Sequence, residues 1–306
     1  MKTIDASACP LYVTFMPDTR DHDRSSALDP AGLDRRTPGE VYLCQVGPAV
    51  SCGACCGLYN VRNLSRTKLT RMLEQRTGRF GQVPRTVAAI DRFALETSKA
   101  EGRKRPMKNF HHCPFLGLIG PEKRTVGCLL HPLADGNAGI DWRGLSYYGA
   151  FACATYFCPT CRELAPRHKR LIRQAADNWY DYGLMITENG MLATFLGRVE
   201  DRLGRPVDNH DLERHPQAER PIRNFLAVKT TWPFRDPESA RPANFFFNKK
   251  EYQPPPVDFN HPGATESGWA PVLTALWSVL PDLSALREAE SLLDRMADDV
   301  ARTLED

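Results

Sequence analysis

The placement of cysteine constrains this chain more than any other feature of its sequence. Ten of the 306 residues are cysteine, nine of them lie between positions 44 and 161, and none follows position 161. They form three groups: Cys44, Cys52, Cys55 and Cys56; Cys113 and Cys128; and Cys153, Cys158 and Cys161. Cysteine used only as a small core residue would be spread along the chain. The grouping therefore predicts a thiol-based site, with all nine residues as metal ligands, whereas the isolated Cys9 is predicted to be an inert cysteine.

The chemistry expected of these thiols depends on the compartment. No apolar run approaches the ~20 residues that a membrane helix needs, and the first residues lack the apolar segment of a signal peptide. We therefore expect a cytoplasmic protein without a membrane partner, in which thiols stay reduced and bind metal or act in catalysis. The formal net charge of +3 is too small to indicate a nucleic-acid partner.

The spacing of the cysteines leaves the kind of metal site open. Two C-x-x-C pairs, Cys52/Cys55 and Cys158/Cys161, match a tetrahedral zinc site, in a non-catalytic binding module or a metal-delivery protein. Neighbouring side chains diverge by about 100° on a helix and lie on opposite faces of a strand. Cys55 and Cys56 are therefore expected to face different ways and to serve different centres, or one centre and its substrate. An iron–sulfur cluster uses four thiolates, so nine allow two sites or one cluster with additional reactive thiols.

Other polar and aromatic residues lie close to these cysteines in the sequence. His111, His112 and His131 flank Cys113 and Cys128 and could replace a thiolate ligand, although a solvated or hydrogen-bonded side chain is the favoured interpretation. Aromatic residues surround Cys153: Trp142, Tyr147, Tyr148, Phe151 and Tyr156. They predict either a hydrophobic shield around a metal centre or ordinary core packing.

Three motifs follow one another between residues 44 and 161: CGACCG, then HCPFLGLIG with GCLLHP, then FACATYFC. In this order they resemble the CxxCxxCC-type cysteine-cluster family of zinc- or iron-chelating proteins, which includes flagellin lysine N-methylases. The resemblance implies ligand roles for Cys52, Cys55, Cys56, Cys113, Cys128 and Cys153. It also implies an iron–sulfur or related metal site, of the four-iron four-sulfur kind in our prediction. In the methylase branch it implies S-adenosylmethionine as cosubstrate and a protein as substrate.

The chain departs from the family pattern at several positions. Ala49 stands where the family has its first cysteine, and the resemblance implies that Cys44 replaces it from a longer loop. Phe157 and Cys158 stand where the methylases have Pro-Arg, so Cys158 and Cys161 are additions. The chain has neither the G-x-G-x-x-G fingerprint nor the C-x-x-x-C-x-x-C spacing of radical S-adenosylmethionine enzymes.

Composition divides the chain into three regions: a polar arm over 1–40, a cysteine-cluster region over 41–162, and a mainly helical region over 163–306. The arm is expected to be extended or looped, and a Pro-rich loop is expected over 229–266. The predicted fold class is mainly α, with irregular cysteine-rich loops organised around a metal centre.

Apolar spacing predicts helices around 69–73 and 87–94, across 162–186, across 189–204 and across 283–306. Ser284 is the predicted N-cap of the last helix. Basic residues in the third of these helices predict a solvated face: Arg167, Lys169, Arg170 and Arg173.

Overall fold

The computed structural model describes residues 30–62, 64–102, 105–107, 110–236 and 256–305. Within these ranges the protein is mainly α-helical, with one two-stranded antiparallel sheet, so the mainly α prediction is confirmed. None of the helices in the described part is long and apolar enough to cross a membrane.

The N-terminal elements begin inside the predicted polar arm. They are helices α1 (Pro30–Arg36), α2 (Arg66–Gly81) and α3 (Val87–Ala100) and strands β1 (Leu116–Ile119) and β2 (Thr125–Cys128). Helix α1 corrects the expectation of an extended arm or loop at its residues, while Cys9 and the rest of the arm lie outside the described residues. The hairpin was not expected, because strands of four residues show too little polar–apolar alternation. Its register pairs Leu116 with Cys128.

The C-terminal elements are a succession of helices: α4 (Gly149–Thr155), α5 (Pro159–Glu163), α6 (Pro166–Ala175), α7 (Trp179–Met185), α8 (Asn189–Leu203), α9 (Asp211–Arg214), α10 (Glu219–Leu226), α11 (Val228–Thr231), α12 (Ala270–Ala275) and α13 (Leu283–Glu305). In the Pro-rich segment 229–266, the described residues contain only the end of α11 and an isolated bridge at Arg235. Proline, which lacks an amide donor, is compatible with this irregular backbone.

The single helix expected across 162–186 is wrong, because the chain turns twice within it and forms α5, α6 and α7. Pro166 occupies the first turn of α6, where its missing N–H needs no partner, so it begins a helix. Asn178 caps α7: its Oδ1 accepts the N–H groups of Tyr180 at 3.0 Å and Asp181 at 2.9 Å.

The ends of the two long C-terminal helices test the predicted caps. Helix α8 stops where expected, at Gly204, whose φ of 63° suits glycine. The predicted cap at Ser284 is wrong: Asp282 Oδ1 accepts the N–H of Ala285 at 2.9 Å, whereas the Ser284 hydroxyl lies 3.2 Å from Glu288 Oε1. Asp282 therefore fills the role assigned to Ser284.

The buried apolar residues of the described part form three clusters. The C-terminal core joins α8 to α10, α12 and α13 and includes Leu192, Phe195, Phe225, Val272 and Leu293. The hairpin core joins α2 to the sheet and includes Leu58, Leu69, Leu73, Leu118 and Val126. The aromatic core includes Phe80, Phe93 and Phe115. Cys52 packs against the C-terminal and hairpin cores and Cys56 against the hairpin and aromatic cores, so the SCGACCG segment lies where all three meet.

Candidate metal centre

The cysteine doublet lies on one turn of 3₁₀ helix, Ala54–Cys56. Gly57 closes the turn with a φ of 75°, and its N–H donates to Ala54 O at 2.8 Å. A Cβ at Gly57 would overlap the carbonyl oxygen of His111, so the segment that precedes Cys113 packs directly on this turn. Only glycine satisfies both the backbone angle and the close approach.

The two thiols of the doublet interact with each other and with different neighbours. A hydrogen bond between them lowers the pKa of Cys55 and raises the pKa of Cys56. The two thiols therefore do not point in wholly different directions. This differs from our expectation that adjacent side chains diverge. Beyond this contact, the charge on Cys55 acts on Cys52 and Cys158, whereas the charges that act on Cys56 come from Cys113 and Cys128 as well as from Cys55.

Backbone contacts hold Cys113 and Cys128 beside Cys56. The N–H of Cys113 donates to Cys56 O at 2.8 Å. Cys128 ends β2 opposite Leu116, the first residue of β1, so the hairpin returns it to the segment that contains Cys113. Cys113 is buried in the aromatic core, and Cys56 and Cys128 pack against that same core.

A fourth thiol reaches this group from α4. Cys153 is exposed, and its Sγ lies 3.1 Å from Ser146 Oγ. It is close enough to Cys113 and Cys128 for its thiolate form to raise their pKa values. We call Cys56, Cys113, Cys128 and Cys153 the Cys56 group.

Burial and the charges of neighbouring thiolates raise the pKa values of Cys113 and Cys128. Burial, with the charge of Cys128 next in effect, raises the pKa of Cys113 to about 12. Burial also raises the pKa of Cys128 to about 11, and the charge of Cys153 adds to it. Since like charges raise thiol pKa values only at short range, these thiols share one neighbourhood. A cation bound among them would favour the thiolate forms.

The remaining five of the nine thiols, which include Cys55, form a second set. The N–H of Cys52 donates to Cys44 O at 2.8 Å, and Sγ of Cys158 lies 3.9 Å from Sγ of Cys161. Cys161 is buried in the C-terminal core, and Cys52 and Cys158 pack against that core. We call Cys44, Cys52, Cys55, Cys158 and Cys161 the Cys55 group.

Thiol–thiol contacts also shift the pKa values in the Cys55 group. The hydrogen bond to Cys161, followed by burial, raises the pKa of Cys158. The same bond lowers the pKa of Cys161, but a hydrogen bond with Cys44 and burial outweigh it, so the net pKa is about 12. Burial, and then the charge of Cys55, raises the pKa of Cys52.

The nine thiols match the chemistry of a thiophilic metal, although they do not form a closed ligand shell. All nine are free in the described part of the chain. In that same part no three Cys, His, Asp or Glu side chains converge as ligands of one ion. The donor set therefore fits a thiolate-bound metal, and binding requires cysteine side chains to rotate towards a common point.

The histidines near Cys113 differ in their availability as ligands. His112 uses both ring nitrogens: Nδ1 donates to Gly57 O at 2.7 Å, and Nε2 accepts from Arg76 Nη2 at 2.6 Å. His131 Nδ1 accepts the N–H of Leu133 at 3.2 Å. Burial lowers the pKa values of His111 and His131 to about 4, so both rings are neutral at pH 7.

A buried arginine network supports Cys113, and the sequence did not reveal it. Arg76 is 1% exposed; it forms two hydrogen bonds to Glu101, at 2.6 and 2.5 Å, and its Nη1 donates to Cys113 O at 3.0 Å. The available signal was its position between Leu73 and Phe80, on the apolar face of α2.

The aromatic residues around Cys153 do not form one shield. Tyr147 and Phe151 are 75% and 82% exposed, which corrects the expectation of core packing for these two side chains. Tyr147 stacks on His111 at 4.4 Å between ring centroids. Tyr148 is nearer the thiols: burial, and then the charge of Cys56, raises its pKa to about 12. Only Trp142 packs against the aromatic core.

The basic face predicted for α6 is not solvated throughout. Lys169 is fully buried, and its Nζ donates to Cys161 O at 2.9 Å and to Gly39 O. Arg173 binds Asp34 at 2.7 Å. The interpretation as a solvated helix face is wrong for Lys169, because its ammonium lies against the C-x-x-C loop.

Two surface cavities of about 440 and 200 Å³ lie away from the cysteines. The larger is lined mainly by α13, including Arg287 and Arg295, and the smaller by α7 and α10, including Asp181 and Arg223.

Comparison of the chain with protein-family models, curated proteins and solved structures gives no match.

Proposed function

We propose that this chain is a cytoplasmic metalloprotein that binds a four-iron four-sulfur cluster through the Cys56 group. The observation that supports the proposal is that Cys56, Cys113 and Cys128 pack in or against the aromatic core, while Cys153 on α4 is close enough to act on Cys113 and Cys128. Four thiolates are the usual ligands of such a cluster. The motif order, which resembles the cysteine-cluster family, also supports it.

The surrounding residues have defined tasks in this proposal. Arg76 fixes the carbonyl of Cys113, and the turn closed by Gly57 fixes Cys56. The Ser146 hydroxyl, 3.1 Å from Cys153 Sγ, offers a hydrogen bond of the kind that tunes a cluster's potential. When bound, the cluster exchanges single electrons, and the exposed Cys153 places one ligand at the surface, where a redox partner has access.

The test is metal analysis of protein prepared without oxygen. The proposal predicts a brown protein with about four iron and four acid-labile sulfide per chain. Cys113→Ser and Cys128→Ser should lose the iron and sulfide, whereas Cys9→Ser should retain them. A colourless protein that contains zinc and no sulfide would contradict the proposal and support a zinc-stabilised module; weakly held, exchangeable metal would support metal delivery.

A second candidate function is lysine N-methylase-like modification of a protein substrate with S-adenosylmethionine as methyl donor. The exposed side chains of Tyr147 and Phe151, next to the Cys56 group, favour a protein partner at this surface. Equilibrium dialysis of the loaded protein with labelled S-adenosylmethionine tests the candidate. Saturable binding is expected, and no binding at millimolar concentration would exclude the cosubstrate.

A further inference from the structure

The Cys55 group is not used by the proposed cluster, although its thiols are as closely associated as those of the Cys56 group. Cys161 is fully buried, Cys158 is half-buried, and both lie against the C-terminal core. Cys52 packs against the same core and also belongs to a C-x-x-C pair with Cys55. Two C-x-x-C pairs facing one neighbourhood are the usual ligand set of a structural zinc site.

The distance between two of these sulfurs fits a shared ion. Two thiolates at the usual Zn–S distance of about 2.3 Å and a tetrahedral angle lie about 3.8 Å apart. Sγ of Cys158 and Sγ of Cys161 are 3.9 Å apart. In the other pair, the N–H of Ala54 donates to Cys52 Sγ at 3.4 Å, a contact that stabilises a thiolate.

A buried positive charge next to this pair is a second, independent observation. Both hydrogen bonds that the structure describes for Lys169 Nζ go to carbonyl oxygens, those of Cys161 and Gly39. A fully buried ammonium is costly without a negative partner. The carboxylate of Glu40 acts on this ammonium, and a zinc ion with four thiolates, whose net charge is −2, would add a further counter-charge beside Lys169.

We propose that Cys52, Cys55, Cys158 and Cys161 form a second, separate centre that binds one Zn²⁺ as a closed tetrahedral site. The pair at the start of α5 is already spaced for the ion, and Cys52 and Cys55 complete the site by rotating towards it. Binding converts four thiols to thiolates and releases four protons to solvent, with no change in oxidation state. The doublet thus separates two centres, with Cys55 in the zinc site and Cys56 in the cluster.

The inference goes beyond the proposed function and does not depend on it, because zinc and iron are measured separately. In the full-length protein prepared without oxygen, we expect about one zinc per chain. The double variant Cys158→Ser/Cys161→Ser should lose at least nine-tenths of the zinc and keep its iron and sulfide. Cys113→Ser/Cys128→Ser should keep its zinc and lose its iron.

Cys44→Ser is the matched control, since Cys44 lies in the same group but outside the proposed ligand set, and it should keep its zinc. Far-UV circular dichroism of each variant establishes that the helices are retained. For a variant that fails to fold, the wild type provides the test: cobalt exchanged for zinc should give the intense visible bands of tetrahedral thiolate coordination.

Zinc retained in the Cys158→Ser/Cys161→Ser protein, or absent from the wild type, would overturn the second centre. Loss of both metals from either double variant, with the helices intact, would overturn the separation into two centres. Absence of iron alone would contradict the proposed cluster and leave the zinc site supported.

Discussion

Replacement of Arg76 by methionine should destabilise the protein strongly, although the residue lies on an ordinary amphipathic helix. Its guanidinium makes two hydrogen bonds to Glu101, contacts His112 Nε2 at 2.6 Å, and donates to Cys113 O at 3.0 Å and Leu116 O at 3.4 Å. Methionine fills much of the same volume but donates no hydrogen bond. The variant therefore leaves a carboxylate, an imidazole nitrogen and two carbonyls without their donor.

The size of the effect follows from the ionisation of Glu101. Burial alone would raise its pKa, but the paired Arg76 and the neighbouring His112 outweigh burial and lower the pKa from 4.5 to about 2. One pKa unit corresponds to about 1.4 kcal/mol, so these partners stabilise the folded protein by about 2–3 kcal/mol at neutral pH, once the exposed fifth of the side chain is allowed for. With the lost carbonyl bonds, we expect a cost of about 3–5 kcal/mol.

Urea unfolding at pH 7, followed by tryptophan fluorescence, measures this cost. Arg79→Met is the matched control, because Arg79 lies on the same helix with its side chain 44% exposed, pairs with Glu96 at the surface at 3.3 Å, and makes one long hydrogen bond to Thr97 at 3.4 Å. Its loss should cost about 0–1 kcal/mol. A difference between the variants of less than about 1 kcal/mol would refute the reasoning from buried, unsatisfied groups.

The pH dependence gives an independent check on the same prediction. Because the pKa of Glu101 is lowered on folding, its stabilising contribution is complete above about pH 4.5 and is lost as the pH falls towards 2. The stability difference between wild type and Arg76→Met should therefore shrink from pH 6 to pH 3. A constant difference across this range would show that Glu101 is not the partner on which the stability depends.

Further predictions concern helix ends and a second carboxylate. Gly204→Ala should cost about 1 kcal/mol in urea unfolding because of its positive φ, whereas Gly197→Ala, inside α8 with open space around it, should stabilise by up to about 1 kcal/mol. Asp282→Ala should cost about 1 kcal/mol and Ser284→Ala almost nothing; equal effects would contradict the cap at Asp282. Burial would raise the pKa of Glu200, but two hydrogen bonds from Arg167 help to lower it to about 2. The loss of stability caused by Glu200→Gln should therefore become smaller as the pH falls from 5 to 2.

Helices with an unbroken apolar period were predictable from the sequence. Helix α8 and helix α13 follow this pattern, and Gly204 marks the end of the first. The segment 162–186 was less tractable because its apolar period continues across Pro166 and Asn178. Pro166 and Asn178 are both residues that commonly begin a helix. Each starts a new helix here, even though the apolar spacing continues without a break.

The buried charges could not be predicted from apolar patterns. The position of Arg76 is that of a core residue, but its partner Glu101 belongs to the turn after α3, and only tertiary packing brings them together. Similarly, Lys169 lies among basic residues that suggest a solvated face, whereas its own side chain points into the protein. A periodic pattern indicates which positions are buried, but not which distant group will neutralise a charge.

The order of the cysteines in the sequence also differs from their grouping in space. Cys55 and Cys56 are adjacent in the chain, yet their other thiol neighbours belong to different groups. Cys153 is five residues from Cys158, but its charge acts on Cys113 and Cys128. Sequence spacing identified the thiols, whereas their partition depends on how α4, α5 and the hairpin pack.

The two carbonyls bound by Lys169 have a consequence for how the chain is made on the ribosome. Gly39 is synthesised more than a hundred residues before Lys169, and at about 5–20 residues per second the interval is roughly 6–26 s. During that time the carbonyl of Gly39 lacks the Lys169 ammonium, which in the folded protein donates to both Gly39 O and Cys161 O. The early cysteines therefore emerge from the ribosomal tunnel before their late partners exist, and a nascent chain exposes them to solvent and oxidants until α6 has docked.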